Sequence, residues 1–196
     1  MEHFLLPSTL GGSGTAGKAI VLDLGCGSGR DTVYMAQHLP PGTRVIGVDN
    51  HSYALERGEK LAEHDKHISL NRGRARRCEW LLADLRKEGS LDGLKASVIH
   101  GHRFKCEQLL PLLRDDVLLP GGFFVWSTFL DTGTENLVPP WRPSRMMRPG
   151  ELADIFSSED FEILVDEQGE LSTRGSVVSA NFFACQRRPG VQSTTK

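Results

Sequence analysis

The sequence lacks three features that would assign a protein class directly. It has four cysteines in 196 residues and no Cys-x-x-Cys pair, which excludes a disulfide scaffold and a zinc knuckle. No apolar run approaches the ~18 residues of a membrane-spanning helix, and no basic stretch followed by a long apolar one opens the chain as in a secretion signal. These absences predict reduced thiols, no membrane partner and a cytoplasmic location.

A surplus of one charge is also missing. Lys and Arg together number 23 against 25 Asp and Glu, so there is no global positive field of the kind that dominates nonspecific nucleic-acid binding. A local basic cluster, NRGRARR at residues 71–77, could still track a phosphate backbone through Arg72, Arg74, Arg76 and Arg77. No aromatic residue interleaves with these arginines to stack a base, so RNA is kept as an alternative partner only.

The remaining composition is that of one globular domain. Hydrophobic residues make up 39% and charged residues 24%, the balance of a folded and soluble chain. The Gly/Ser/Thr-rich start and the polar end predict a flexible segment over residues 1–17, a domain over 18–187 and a disordered tail over 188–196. The sequence does not determine the oligomeric state.

Strand-like and helix-like runs alternate along the domain. Seven strands are predicted: Ala19–Leu24, Thr43–Val48, Arg77–Ala83, Lys95–Ile99, Gly122–Phe129, Phe161–Asp166 and Val177–Gln186. Four helices are predicted: Asp31–Leu39, Ser52–Glu63, Phe104–Leu119 and Glu151–Phe156. Alternation implies right-handed crossovers, whereas the short loop before the last strand requires an antiparallel pair. We therefore predict an α/β, doubly wound (Rossmann-like), seven-stranded sheet, mostly parallel with an antiparallel last strand, in a single domain.

A glycine loop follows the first predicted strand. The segment VLDLGCGSGRD (Val21–Asp31) places Gly25, Gly27 and Gly29 where this strand turns into its helix. Without side chains, the backbone there can approach a ligand closely and direct its amides outward. A dinucleotide loop of the G-x-G-x-x-G type would need glycine at position 30, which holds Arg30. The spacing therefore favours a ligand other than NAD.

Two further acids follow the next two strands. Asp49 ends the second strand, twenty residues after Gly29, where a carboxylate can accept hydrogen bonds from both hydroxyls of a ribose. Asp84 follows the third strand, where it could otherwise be a turn or helix-capping residue. Because ligands of open parallel sheets bind outside the carboxyl ends of the strands, the glycine loop and both acids predict one ligand site.

These segments carry a family resemblance. Together VLDLGCGSGRD, the acid of VIGVDN, LLADL and PGGFFVWSTF resemble a class I S-adenosylmethionine-dependent methyltransferase, from about Lys18 to Gln186. The later stretch PPWRPSRMMRPGEL is similar to small methyltransferases of the tellurite-resistance type. By this resemblance, Asp23 and the glycine loop would hold the methionine end of the cofactor. Asp49 would bind the ribose and Asp84 the adenine amino group. The predicted cofactor-binding set is Asp23, Gly25, Cys26, Gly27, Gly29, Asp49, Asn50, Asp84 and Leu85, with Leu82 as an alternative to Leu85 against the ring.

The acceptor side is expected at the end of the fourth strand. The sequence VIHGHRFKCE offers His100 and His102 as candidate general bases and Arg103 as a grip for an anionic acceptor. Each could instead cap the following helix or contact the cofactor. A metal site from His100, His102 and Cys106 has no fourth ligand nearby, so no metal is predicted.

A second candidate for the acceptor side is the long loop that contains residues 139–149. Trp141, Arg142 and Arg145 are its predicted substrate-binding residues, because a loop of this length in a compact domain is typical of a lid or binding segment. Its arginines could instead pair with local acids on the surface. The predicted function is methyl transfer from S-adenosylmethionine to a small-molecule acceptor. The alternatives are an RNA or protein methyltransferase and a noncatalytic module that binds the cofactor.

Overall fold

The computed structural model describes residues 19–64, 78–133, 146–173 and 176–190. The strands in these ranges are β1 Ile20–Leu24, β2 Arg44–Asp49, β3 Cys78–Leu82, β4 Ala96–His102, β5 Leu118–Phe129, β6 Phe161–Thr173 and β7 Ser176–Arg187. The helices are α1 Arg30–His38, α2 Ser52–His64, α3 Leu109–Leu112, which continues as a π-helical turn over Leu113–Val117, and α4 Glu151–Ile155. None of the helices in these ranges is long and apolar enough to cross a membrane.

The strands form one sheet in the order β3-β2-β1-β4-β5-β7-β6. The first five strands are parallel to one another, whereas β7 runs antiparallel to both β5 and β6. This arrangement confirms the predicted doubly wound sheet with an antiparallel last strand. The chain leaves β1 toward β2 on one side and later returns to pair β4 on its other side. The carboxyl end of β1 is therefore the switch point at which sheets of this kind bind ligands.

Two apolar layers cover the sheet. On one face, Val33 of α1 and Ala62 of α2 pack with Val21, Val45 and other strand residues. On the opposite face, the π-helical turn and α4 pack over a larger cluster whose most buried aromatic residues are Phe124, Trp126, Phe156 and Phe183. Burial of both faces explains why β1 reads as a continuous apolar run, as parallel central strands do.

The predicted helix Phe104–Leu119 is wrong at both ends. Helical structure begins only at Leu109, because Pro111 lacks an amide hydrogen and is tolerated only in a first helical turn. Before it, the carbonyl oxygen of Phe104 accepts a hydrogen bond from Trp126 Nε1 at 3.0 Å, outside any helix. After the π-helical turn, Leu118 already pairs with Ala96 in the sheet.

Two strand predictions are corrected as well. The strand predicted over Gly122–Phe129 begins earlier, at Leu118, and Pro120, Gly121 and Gly122 form an irregularity inside it. Regular pairing with β4 resumes at Phe123, opposite Val98, beyond Gly121 at φ 78°. The final hairpin is longer than predicted, because β6 extends to Thr173 and pairs with β7 along its whole length.

Candidate active site

The glycine loop between β1 and α1 is shaped by three left-handed residues. Gly25, Gly27 and Gly29 have φ of 68°, 56° and 73°, values that side chains of L-residues rarely allow. A Cβ at Gly29 would stand 2.3 Å from the Trp80 ring, and one at Gly25 would stand 2.7 Å from the Phe104 ring. A Cβ at Gly27 would meet nothing within 4 Å. Two glycines thus allow close packing of the loop, and the third leaves open space where a ligand can approach the backbone.

Hydrogen bonds tie this loop to the end of β2. The amides of Gly25 and Cys26 both donate to the carbonyl oxygen of Val48, at 2.8 and 3.1 Å. The Asp49 carboxylate accepts the amide of Gly27 at 2.8 Å through Oδ2 and the amide of His51 at 3.0 Å through Oδ1. Each carboxylate oxygen can accept a second hydrogen bond, so Asp49 keeps capacity for two ligand hydroxyls.

Asp23 lies beneath the loop, 2% exposed, at the centre of a polar chain. Its Oδ2 accepts a hydrogen bond from Thr32 Oγ1 at 2.5 Å, and its Oδ1 lies 2.9 Å from His100 Nδ1. The register of β1 and β4 creates this contact, because Asp23 and His100 are directly paired neighbours in the sheet. The structure therefore places His100 behind Asp23, where it supports the carboxylate.

A cleft of about 180 Å³ opens between the glycine loop, α1 and the end of β4. Its lining residues are Asp23, Gly25, Cys26, Ser28, Arg30, Asp31 and His102. This volume is below the ~300 to 1,000 Å³ of pockets that enclose whole drug-sized ligands. The cleft can therefore enclose one end of a nucleoside-containing ligand, with the rest along the sheet edge toward Asp49.

The Cys26 thiol in this cleft is not a nucleophile at neutral pH. Burial, reinforced by the carboxylates of Asp23 and Asp49, raises its pKa to about 12. The thiolate is the reactive form of cysteine, and it is scarcely populated at such a pKa. Cys26 therefore contributes packing and shape to the loop.

His102 faces the cleft from the end of β4. Its Nδ1 lies 2.6 Å from the Oγ of Ser127 on β5. Burial lowers its pKa below the ordinary value, and the charge of Asp31, which acts in the opposite direction, does not compensate. His102 is therefore neutral at pH 7 and can accept a proton.

Asp31, on the first turn of α1, brings a second carboxylate to the cleft. Burial acts to raise its pKa, but the hydrogen bonds and charge of Arg30 outweigh this and lower the pKa. Arg30 Nε donates to Asp31 Oδ1 at 2.9 Å. Asp31 is thus ionised near both histidines.

Arg103 has a strained backbone directly after His102. It has φ 56°, and among the described residues it is the only non-glycine residue with positive φ. Its amide donates to the carbonyl oxygen of Ser127 at 2.7 Å, and its guanidinium lies 5.7 Å from the centre of the Phe129 ring. Backbone strain of this kind clusters at functional sites.

The predicted adenine-binding residues differ in their contacts and in their exposure. The Asp84 carboxylate accepts hydrogen bonds from the Arg86 amide and guanidinium, and this pairing lowers its pKa. Leu85 is only 6% exposed and belongs to the core, whereas Leu82 is 58% exposed at the end of β3. Leu82 therefore offers the accessible apolar surface at this edge. Asn50 is exposed beside Asp49.

The buried side chain of Lys105 connects the end of β4 to the segment before α4. The Nζ of Lys105 donates to the carbonyl oxygen of Met146 at 2.6 Å and to the Glu107 carboxylate at 2.8 Å. It also lies 3.5 Å from the Glu151 carboxylate, which in turn accepts the Arg148 amide at 2.8 Å. This cluster fixes the segment before α4 against the end of β4.

Several predicted residues lie outside the described ranges. These are Trp141, Arg142 and Arg145 of the substrate loop and Arg72, Arg74, Arg76 and Arg77 of the basic cluster. In the ranges that the structure does describe, no group of three His, Cys, Asp or Glu side chains could hold a metal. Cys106 instead directs its Sγ toward the Leu85 carbonyl oxygen, 3.6 Å away.

The predicted site residues did not include Ser28, Arg30 and Asp31 of the cleft lining, nor Ser127 and Lys105. Asp31 follows the glycine loop directly, so its position in the first turn of α1 was a usable signal. No sequence pattern indicated Ser127 or Lys105, because their roles depend on the β4–β5 register and on contacts between distant segments.

Comparison with known proteins finds a matching family. A family model described as a methyltransferase domain matches residues 21–122, just over half of the chain. The match runs from β1 to the irregularity in β5 and thus includes the glycine loop, Asp49, Asp84 and His102. No curated protein matches the sequence.

Solved structures share the fold at low sequence identity. A SAM-dependent methyltransferase from Methanosarcina mazei is 18% identical with a TM-score of 0.68, over 89% of this chain and 95% of its own. TehB from Haemophilus influenzae is 18% identical with a TM-score of 0.64, over 86% of this chain and 57% of its own. The plantazolicin methyltransferase BpumL, solved in complex with SAH, is 14% identical with a TM-score of 0.55, over 87% of this chain and 76% of its own.

Proposed function

Because the chain belongs to the methyltransferase domain family, with S-adenosylmethionine as its cofactor, we propose that it transfers a methyl group from that cofactor to a small-molecule acceptor. The observation that carries the proposal is the cleft in which the glycine loop and the neutral His102 face each other. The glycine loop, on one side of the cleft, suits a cofactor, and His102, on the other side, suits proton removal from an acceptor. Such pairing of a binding loop with a positioned base is typical of a group-transfer site.

The residues present fit the proposed cofactor. Gly27 leaves open space at the loop, and Asp49 retains two acceptor positions for ribose hydroxyls. Asp23 would support the methionine end through a carboxylate that is already oriented by Thr32 and His100. When bound, the cofactor supplies an electrophilic methyl group on a positively charged sulfur.

The chain's own residues would prepare the acceptor. His102 would remove the acceptor's proton, and Arg103 would orient an anionic group near the same strand end. Alignment of the nucleophile is the larger contribution, because holding two reactants in place can supply roughly 7 to 11 kcal/mol of the barrier.

The charges around the cleft support a small acceptor over RNA. Asp31 and Asp49 bring two carboxylates to the cleft and the adjoining strand end, in addition to the buried Asp23, and Arg30 is engaged with Asp31. A phosphate backbone would be repelled by this surface, whereas nucleic-acid sites need clustered positive charge.

Release of S-adenosylhomocysteine measures this function directly. The purified chain would be incubated with S-adenosylmethionine and separate acceptors: a small thiol, a catechol, tellurite, total RNA and a denatured protein mixture. We expect turnover with a small molecule, and a loss of at least 100-fold in His102→Gln. His64→Gln on exposed α2 is the matched control. Turnover on RNA or protein alone would replace the proposed acceptor class, and tight cofactor binding without any turnover would favour a noncatalytic module.

A further inference from the structure

Ser127 contacts His102, the last residue of β4, and Arg103, which follows it. The parallel register pairs His102 with Ser127, so both side chains lie on the same face of the sheet. The Ser127 hydroxyl lies 2.6 Å from His102 Nδ1. Its carbonyl oxygen accepts the Arg103 amide at 2.7 Å, which stabilises the left-handed turn there. One residue of β5 thus fixes the ring of His102 and the direction of the chain after it.

The contact with Ser127 leaves one ring nitrogen of His102 for chemistry. Because Nδ1 is engaged by Ser127, only Nε2 can exchange a proton with a molecule in the cleft. The ionisable groups that act on the ring are Asp31 and Arg30 of α1, His100 of β4 and the adjoining Arg103. Of these, Asp31 alone favours the charged ring, whereas burial and the other three groups favour the neutral form.

We propose that Ser127 is a positioning residue that accepts the Nδ1–H of His102, so that the Nε2 lone pair takes the proton of a protic acceptor: an alcohol, phenol, thiol or amine. The proposal rests on the proposed function. The acceptor's O, S or N atom forms a bond to the methyl carbon, and the carbon–sulfur bond of the sulfonium breaks with its electron pair left on sulfur. The acceptor's proton moves to Nε2, and solvent later removes it. Acceptors without a removable proton would gain nothing from this pair.

The opposite hydrogen-bond direction would give His102 a different role. If the Ser127 hydroxyl donated to Nδ1, the neutral ring would carry its proton on Nε2 and could not receive another there. His102 would then be a hydrogen-bond donor to its ligand. The tautomer of the neutral ring distinguishes the two directions, because they place its proton on different nitrogens.

The sign of the pKa change follows from which charge state makes the stronger bond. A hydroxyl that accepts from Nδ1–H binds the charged ring more strongly than the neutral ring, so its removal lowers the pKa. A hydroxyl that donates to the Nδ1 lone pair of the neutral ring rotates to accept Nδ1–H once the ring is charged, so its removal lowers the pKa as well.

Long-range ¹H–¹⁵N NMR of the histidine side chains, recorded on the full chain from pH 4.5 to 8.5, tests the proposal without any acceptor. His102 is assigned from the spectrum of His102→Gln. We expect the proton of the neutral wild-type ring on Nδ1, a lowered His102 pKa in Ser127→Ala, and wild-type behaviour in Ser127→Thr, which keeps the hydroxyl. Ser179→Ala is the matched control, because Ser179 is also a half-buried strand serine but lies on the other face of the sheet.

A proton on Nε2 in the neutral wild-type ring, or an unchanged or raised His102 pKa in Ser127→Ala, would overturn the proposal. The wild-type tautomer stands as the test if Ser127→Ala does not fold. Calorimetric binding of S-adenosylhomocysteine to the same samples separates the role of Ser127 from the proposed function. If the wild type does not bind this ligand, the proposed function is refuted, whichever tautomer His102 adopts. Once an acceptor is known, Ser127→Ala should lower kcat and shift the acidic limb of its pH profile while KM for S-adenosylmethionine stays within about twofold.

Discussion

The amide of Gly27 donates to the Asp49 carboxylate across 2.8 Å, so the glycine loop and the end of β2 are directly coupled. The same carboxylate accepts the His51 amide and thereby orders the start of the chain toward α2. A ligand that engages Asp49 therefore meets a group that is already oriented. Preorganisation of this kind lowers the entropy that binding would otherwise cost.

Removal of the Asp49 carboxylate should weaken cofactor binding. Asp49→Ala removes the acceptor of the Gly27 amide and the proposed acceptor of the ribose hydroxyls, so we expect a cost of about 1 to 3 kcal/mol or roughly a 5- to 150-fold rise in Kd. Calorimetry with S-adenosylhomocysteine measures the change. Asp160→Ala, before β6 at the opposite edge of the sheet, is the control and should leave Kd unchanged. Equal affinity of both variants would show that Asp49 does not touch the ligand.

Alanine should be tolerated differently at two glycines of one loop. Gly29→Ala combines a left-handed backbone, at about 1 to 2 kcal/mol, with a clash against Trp80, at about 1 to 3 kcal/mol. Gly27→Ala carries only the backbone cost, because its Cβ would enter open space. Urea unfolding should therefore rank Gly29→Ala as less stable than Gly27→Ala, whereas cofactor binding to folded Gly27→Ala should still fall. The reverse stability order would contradict the packing described for Trp80.

The Cys26 thiol should react slowly with alkylating agents. With a pKa of about 12, its thiolate fraction at pH 8 is on the order of 10³-fold smaller than that of an ordinary cysteine. Its raised pKa also has a stability consequence: the folded state holds a proton that the unfolded state releases, so stability falls as pH rises from about 9 to 12. Iodoacetamide labelling at pH 8, followed by mass spectrometry, should show little modification of Cys26 in the folded chain and rapid modification in urea. Labelling at the rate of a free thiol would rule out the raised pKa.

Loss of the buried lysine should destabilise the fold. Lys105→Met leaves the Glu151 carboxylate buried without its cationic neighbour, which costs about 3 to 5 kcal/mol. The double variant Lys105→Met/Glu151→Gln should be more stable than the sum of the two single changes predicts, since it removes the unpaired charge. Exposed Lys87→Met should stay within about 0.5 kcal/mol of the wild type in the same urea titrations. Strict additivity of the pair would mean that the two groups do not interact.

The fold was predictable because local patterns and topology agree. β1 and β2 are largely apolar on both faces, and Gly25 follows β1 while Asp49 ends β2, so their period, their ends and their parallel pairing could be inferred from residues alone. The helix predicted over Phe104–Leu119 failed because leucine spacing does not report where Pro111 allows a helix to begin or where pairing with Ala96 begins.

The site residues likewise divide into those that sequence patterns predict and those that they do not. The glycine loop, Asp49 and Asp84 follow strand ends, and strand ends are visible in sequence. The contact between His102 and Ser127 joins residues 25 positions apart and exists only through the β4–β5 register. The support of Asp23 by His100 spans 77 positions and depends on the pairing of β1 with β4. Pairing between strands distant in sequence is what the residue pattern does not encode locally.

Binding of the cofactor product tests the central claim most directly. Wild-type chain titrated with S-adenosylhomocysteine in a calorimeter, with NAD titrated in parallel, should bind the first saturably at one site and give no heat of binding with the second. At 100 times its Kd, S-adenosylhomocysteine should also stabilise the fold by about 2.7 kcal/mol in urea unfolding. Absence of S-adenosylhomocysteine binding, or equal binding of NAD, would contradict the assignment of the glycine loop and Asp49 to this cofactor.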